Sequence, residues 1–221
     1  MLDARAAFLG AGWFDPIRDA IAAVAHANTP ERILDVGCGT GYYLAGVLER
    51  LPEAPALGMD LSSAAVARTL RVGPTVDGLV ADAWSALPIR DNAADLILNV
   101  FAPRNVDEFH RVLRPDGRLA VVIPQQSHLV ELRGAGLLLE VQPDKALHLV
   151  ESLRGRFTLE SRQAMSYVME LPPDAVDTVV GMGPSAHHAK GADKAVSATA
   201  PAADTQPVTA AVELFVFSPL P

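Results

Sequence analysis

The chain has 221 residues, half of them hydrophobic, with 26 acidic against 18 basic side chains and a formal charge of −8, a length that suits one core and is marginal for two. That charge, with only three lysines, excludes the broad basic footprint of an indiscriminate nucleic-acid binder, so any RNA contact has to be local. No run reaches the roughly 18 apolar residues that span a bilayer, the first twenty residues mix Asp3, Arg5, Asp15, Arg18 and Asp19 among apolar positions unlike a signal peptide, and the single Cys38 excludes an internal disulfide or a thiolate-rich zinc site. A cytoplasmic protein with no membrane segment is expected.

Residues 1–27 read as two short helices separated by "GAGWFDP". From about residue 30 to 125, short β-like runs alternate with helical patterns, the mark of βαβ units. "RILDV" is a buried strand, followed by a glycine loop and a helix from about Tyr42 to Leu51. "APALGMD" is the second strand, and "LSSAAVARTL" a helix capped by Ser62 or Ser63. "DGLVAD" is a third strand ending in Asp82. "ADLILNVFAP" is the strongest strand, and "NVDEFHRVL" is a helix stopped by an "RPDG" turn that feeds the strand "RLAVVIP". Five parallel strands with helices on both faces are the natural solution.

Beyond residue 125 a helical stretch runs through "HLVELRGAGLLLEV" and on to "DKALHLVESLRG". Two strands follow, "QAMSYVMEL" and "AAVELFVFSPL", which can pair antiparallel at the sheet edge. Between them lie a short helix after Pro173 and a segment from 185 to 207 whose small residues bury little area, expected as a mobile loop. The expected fold is α/β and Rossmann-like, a mostly parallel seven-stranded sheet with an antiparallel C-terminal strand pair. A helical segment, 1–28, covers the site of a domain at 29–221.

The loop after the first strand carries glycines at 37, 39 and 41. A dinucleotide fingerprint places its third glycine at 42, which here is Tyr42. Asp35 stands two residues before the first glycine. A pyrophosphate wants helix N-terminal amides without a carboxylate beside them, whereas an ammonium or sulfonium welcomes one. Asp60, ending the second strand, can accept bonds from ribose hydroxyls, and Asp82 can reach an exocyclic amine. Together these suit adenosine with a short amino-acid tail. Cys38 reads as a small loop residue, and Thr40 and Tyr42 as residues that cap and cover the loop.

These features resemble the class I S-adenosylmethionine-dependent methyltransferases. The resemblance implies Gly37, Gly39 and Gly41 against the methionine portion, Asp35 serving its ammonium through water, and Asp60 on the ribose. It also implies Asp82 and the Ala83 amide on the adenine, with Leu61 packed on its face. S-adenosyl-L-methionine is then expected to bind in the micromolar range, and NAD not at all.

Two further segments, "ARAAFLGAGWFDPIRDAI" and "PQQSHLVELRG", with "GYY" and the triplet Phe101, Ala102 and Pro103, resemble the 23S ribosomal RNA guanine-N1 methyltransferases, whose members include macrolide-resistance enzymes. Members usually begin with a cysteine-rich zinc module. This chain starts where that module would end and holds one cysteine, so no structural zinc is expected. A truncated product and a catalytic module with another substrate are the alternatives. Trp13 and Phe14 stand where the family commonly has histidine and tyrosine. The implied partner is a 23S rRNA hairpin, with a homodimer as one allowed assembly.

Guanine N1 carries a proton at neutral pH, so methylation there needs a base or a water to take it. Asn99, His128 and Glu131 are the catalytic candidates, the last two placed three apart on one helical face. Trp13, Phe14 and Phe101 can stack a base extruded from an RNA loop, with core packing as their other role. Arg104, and beyond it Arg133, are the arginines expected to face phosphate. His187 and His188 are expected to be exposed. A small-molecule methyltransferase and a cofactor-binding protein without turnover are the competing functions.

Overall fold

A computed structural model describes residues 1–182 and 205–221. Eight helices and seven strands follow in chain order: α1 (Leu2–Gly10), α2 (Asp15–Asn28), β1 (Ile33–Val36), α3 (Tyr42–Arg50), β2 (Ala56–Asp60), α4 (Ser63–Thr69), β3 (Val76–Val80), β4 (Ala94–Val100), α5 (Val106–Val112), β5 (Leu113–Pro124), α6 (Val130–Gly134), α7 (Lys145–Leu153), β6 (Phe157–Leu171), α8 (Pro173–Met182) and β7 (Gln206–Pro219), counted among the described residues.

The strands form one sheet in the order β3-β2-β1-β4-β5-β7-β6. The first five run parallel, while β7 pairs antiparallel with both β5 and β6. Central strands are buried on both faces, which is why β1 and β4 are mostly apolar without alternation, interrupted by Asp35 in β1 and by Asp95 and Asn99 in β4. β4 sends Leu96, Leu98 and Val100 into a core shared with α1, α2, α3 and α8, and Ile97 into a second core with α5 and α7. The chain order reverses between β1 and β4, and the crevice at their carboxyl ends is where ligands bind in open α/β sheets.

Three expectations are corrected and one alternative is decided. β3 ends at Val80, so Asp82 belongs to the turn after it. The Ser62 hydroxyl accepts from the Ala65 N–H at 3.3 Å, which settles the cap of α4. "RPDG" does not separate helix from strand: Leu113, fully buried, already pairs with Ala94, and the register then jumps to Leu96 opposite Arg118, leaving "RPDG" as an irregularity inside β5. The helical stretch after residue 125 is two helices, α6 and α7, with a non-helical connection at 135–144. The C-terminal strands also run longer than their apolar patterns, because pairing over 14 positions carries polar residues along with them. β7 begins at Gln206, inside the expected loop. The rest of that segment to 204, with His187 and His188, lies outside the described residues.

Candidate functional site

The loop from β1 to α3 is shaped by its glycines. Gly37 (φ +78°) and Gly41 (φ +77°) hold left-handed backbone, and a Cβ at either would lie 2.5 Å from the Ala102 side chain or 2.6 Å from Val72. The Gly37 and Cys38 N–H groups donate to the Met59 carbonyl at 2.7 and 3.0 Å, binding the loop to the end of β2. Asp60 completes that tie, accepting from the Gly39 N–H at 3.1 Å and from the Ser62 N–H at 2.9 Å. Cys38 is buried, with the Thr69 hydroxyl donating to its sulfur at 3.2 Å, and burial pushes its thiol up to about 12. It stays a protonated loop residue.

Asp35 is buried at the foot of this loop and has no hydrogen-bond partner among the described residues. Burial, and then the negative charge of Asp60, push its carboxyl up to about 7. A buried carboxylate without a partner is costly unless a cation is to be bound there.

Above Asp35 opens a cavity of about 390 Å³. Its floor is the glycine loop. One wall comes from α1 and α8, through Arg5, Leu9, Val179 and Met182, and the opposite wall from the 135–144 connection and Lys145. Arg5 donates to the Met182 carbonyl at 3.3 Å, and its Nη1 lies 3.4 Å from where a Gly39 Cβ would stand. Aromatic rings line the interior. Phe101 stacks on His128 with centroids 5.9 Å apart, and Phe14 packs against both at 6.4 and 5.8 Å. Phe101 is 40% exposed and holds φ +53°, a strained conformation for a bulky residue of the kind that collects at functional sites. Phe14 is 1% exposed and packs edge-on against Phe8 at 5.2 Å. Trp13 lies outside the cavity wall, its ring near Phe8 and its carbonyl accepting from the Tyr167 hydroxyl at 2.9 Å.

The catalytic candidates do not converge. Asn99 is fully buried, and its amide donates to the Pro103 carbonyl at 2.8 Å, fastening the turn that carries Phe101. His128 precedes α6 and lines the cavity, whereas Glu131 lies within α6 and binds Thr209, accepting from its N–H at 2.9 Å and its hydroxyl at 2.6 Å. The two side chains instead share a structural task. Past Pro124, β7 has lost β5 as a neighbour, and the Ala211 N–H donates to His128 Nδ1 at 3.1 Å while Thr209 is met by Glu131. Because Nδ1 accepts, the proton of His128 sits on Nε2. Burial, with the charges of Arg133 and Lys145, lowers its pKa to about 4.

Of the two arginines, Arg133 is buried, and its guanidinium donates to the carbonyls of His128 and Gln126. The expectation that it faces phosphate is corrected, for its charge is spent inside. Arg104 is half-buried, 3.4 Å from the Ala102 carbonyl and 3.5 Å from Asn99, and burial lowers its pKa. At the other end of the crevice Asp82 is exposed, accepting from the Trp84 N–H at 3.0 Å, and Ala83 is half-buried beside it. Leu61 and Trp84 are 73% and 69% exposed, leaving apolar surface beside the ends of β2 and β3. Arg5, Tyr43, Glu140 and Lys145 also line the cavity; Arg5 and Tyr43 fall within segments that carry the family resemblance without having been singled out there, and Glu140 and Lys145 have no local motif that marks them.

A family model described as a methyltransferase domain matches residues 33–117. The chain is 41% identical to the 23S rRNA (guanine(748)-N(1))-methyltransferase of Streptomyces fradiae, over all of this chain and 80% of that one. It is 39% identical, over the same shares, to a Micromonospora griseorubida protein provisionally named a 23S rRNA (guanine-N(1)-)-methyltransferase. Among solved structures, one of a provisionally named methyltransferase from Bacillus halodurans C-125 shares the fold with a TM-score of 0.57 at 15% identity, covering 85% of this chain and 92% of that one. Geranyl diphosphate methyltransferase in complex with SAM aligns with a TM-score of 0.54 at 13% identity, covering 91% and 85%.

The residues present suit that cofactor: Asp35 is a buried carboxylate awaiting a cation, and Gly37 and Gly39 present bare backbone to the cavity beside it. With relatives 41% and 39% identical over the whole of this chain, the chain belongs to the 23S rRNA (guanine-N1)-methyltransferases, enzymes that use S-adenosyl-L-methionine.

Proposed function

We propose that the protein transfers a methyl group from S-adenosyl-L-methionine to N1 of a guanine in 23S rRNA. The observation that carries this reading is the similarity, over the full chain, to the Streptomyces fradiae enzyme, and guanine 748, which that relative's name specifies, is the first position to assay. The cofactor supplies an electrophilic methyl on a sulfonium. The chain's task is to hold the acceptor nitrogen in line with that methyl, about 3 Å away, and to receive a proton.

In this reading Asp35 takes the cofactor's ammonium, Gly37, Gly39 and Gly41 lie against the methionine portion, and Arg5, near Gly39, takes its carboxylate. Asp60 accepts from the ribose while keeping its hold on the loop. Asp82, Ala83 and Leu61 serve the adenine. Phe101, stacked on His128 and backed by Phe14, offers a face for the extruded base. Trp13, Asn99 and Glu131 are assigned to packing and positioning, because their contacts are with the protein itself. Residues 1–28 cover the site of the domain at 29–221. No helix among the described residues is long and apolar enough to cross a membrane, and an rRNA substrate fits action in the cytoplasm. The outer edge of β6 is where a second copy would extend the sheet into a homodimer.

Purified protein is expected to label 23S rRNA from a tritiated methyl donor and to leave 16S rRNA and tRNA unlabelled. Labelling of small aromatic acceptors with none of any RNA would replace this reading with the small-molecule one. Asp60→Ala is expected to weaken S-adenosylhomocysteine binding by about 1.5–3 kcal/mol, the worth of hydrogen bonds to a charged group, and Asp82→Ala by under about 1 kcal/mol, since water can serve an exposed amine. Calorimetry that finds the two variants equally unaffected contradicts both placements.

RNA affinity is expected to depend weakly on salt. Each phosphate neutralised adds about 0.7–0.9 to the logarithmic slope, and with Arg133 engaged internally, Arg5, Arg104 and Lys145 are, among the described residues, the cations left around the site. Filter binding that returns the slope of about six or more contacts contradicts this charge assignment.

A further inference from the structure

Methylation at guanine N1 requires an acceptor for the N1 proton, and the following rests on the guanine reading above. Glu131 spends both carboxylate oxygens on Thr209. His128 has its Nδ1 lone pair engaged by the Ala211 N–H, so it offers a donor at Nε2 and no acceptor. Among the described residues the cavity wall contains two carboxylates, Asp35 and Glu140. Asp35 is at the glycine loop, on the cofactor side. Glu140 is on the 135–144 connection, its side chain 82% exposed. Beside it lies the buried Arg133, whose Nε has no hydrogen bond among the described residues and stands 3.4 Å from Glu140 Oε2, close enough to pair as charges but not aligned as a hydrogen bond. The same guanidinium donates to the His128 carbonyl, so one buried cation ties together Glu140 and His128.

We propose that Glu140, steered by the Arg133 guanidinium, accepts the N1 proton of the target guanine while the Nε2–H of His128 donates to its O6. The Watson–Crick edge of guanine presents N–H groups at N1 and N2 beside the O6 acceptor. A carboxylate next to an N–H donor complements that pattern, whereas adenine, with an acceptor at N1 and an amine at C6, meets it with like against like. In the transfer the N1–H bond breaks and its proton passes to the Glu140 carboxylate. The N1 electron pair forms the new bond to the methyl carbon, and the methyl–sulfur bond breaks with its pair remaining on sulfur, leaving 1-methylguanine and a neutral thioether. Glu140, open to solvent, then releases the proton to water.

The test is single-turnover methylation of 23S rRNA by the full chain and by Glu140→Gln and Glu140→Asp, from about pH 6 to about pH 9, with S-adenosylhomocysteine calorimetry alongside. Glu140→Gln is expected to be slower by about 100-fold near neutrality, the usual worth of a positioned base, with the deficit shrinking as pH rises and N1 ionises unaided. Glu140→Asp should keep the wild-type pH profile at an intermediate rate. S-adenosylhomocysteine affinity should hold within about twofold in both, because the proposed role of Glu140 is toward the base and not toward the cofactor. A Gln variant within about threefold of wild type at every pH overturns the proposal, as does a loss uniform in pH or matched by lost cofactor binding. Wild-type protein that leaves 23S rRNA unmethylated would instead remove the guanine reading itself, and this proposal with it.

Discussion

Asp35→Asn is expected to raise the melting temperature of the ligand-free protein above neutral pH and, at the same pH, to weaken S-adenosylhomocysteine binding by about 10- to 100-fold, as loss of a charged hydrogen-bonding partner does. Both effects come from one buried carboxyl, held at about 7 by burial and by Asp60. In the unfolded chain the same group titrates near about 3.9. Between those values the folded state binds the proton and the unfolded state does not, so stability falls as pH rises through the window and the whole penalty is present above about pH 7. Asparagine has nothing to ionise, and the gain is on the order of a few kcal/mol, several degrees for a chain of this size. The cofactor's ammonium favours the ionised form, so wild-type affinity should rise with pH through neutrality while that of the variant stays flat. A variant that melts lower at about pH 8 and binds as tightly as wild type would show that Asp35 is satisfied by something other than the ligand.

Phe14→Ala is expected to cost about 3–5 kcal/mol of folding stability, the range for emptying an aromatic site in a closed core. The ring is 1% exposed, meets Phe8 edge-on, and supports His128 and Phe101 from beneath. Trp13→Ala should cost less, because its ring is only partly buried. Urea unfolding of the two variants checks the order. A loss under about 1 kcal/mol for Phe14→Ala would mean that α1 and α2 lie on the domain rather than sharing its core.

The parallel half of the sheet was legible because its evidence is local. β1, β2 and β4 are mostly apolar runs between turn residues, and Asp35 and Asp60 fall at or next to the ends of strands whose bounds follow from the pattern. Asp82 shows the limit of that reasoning: the polar turn after β3 continues the alternation for two residues past the last ladder bond. Glu131 was illegible for a different reason. Its helical spacing from His128 holds only if the helix begins earlier than Val130, and its partner, Thr209, is 78 residues away. Arg133 was expected to face phosphate, yet the carbonyls of a chain segment that leaves the sheet without strand partners draw its guanidinium inside. Arg5, Glu140 and Lys145 come from three separate segments. Only the packing of α1, the 135–144 connection and the start of α7 around one cavity brings them together.

Guanine-N1 methylation of 23S rRNA is tested most directly by mass spectrometry of nucleosides released from 23S rRNA fragments, comparing cells that carry the gene with cells that lack it. The expected result is 1-methylguanosine in one fragment of the first sample, absent from the second and restored when the gene is returned. The same 1-methylguanosine content in both samples would contradict the assignment.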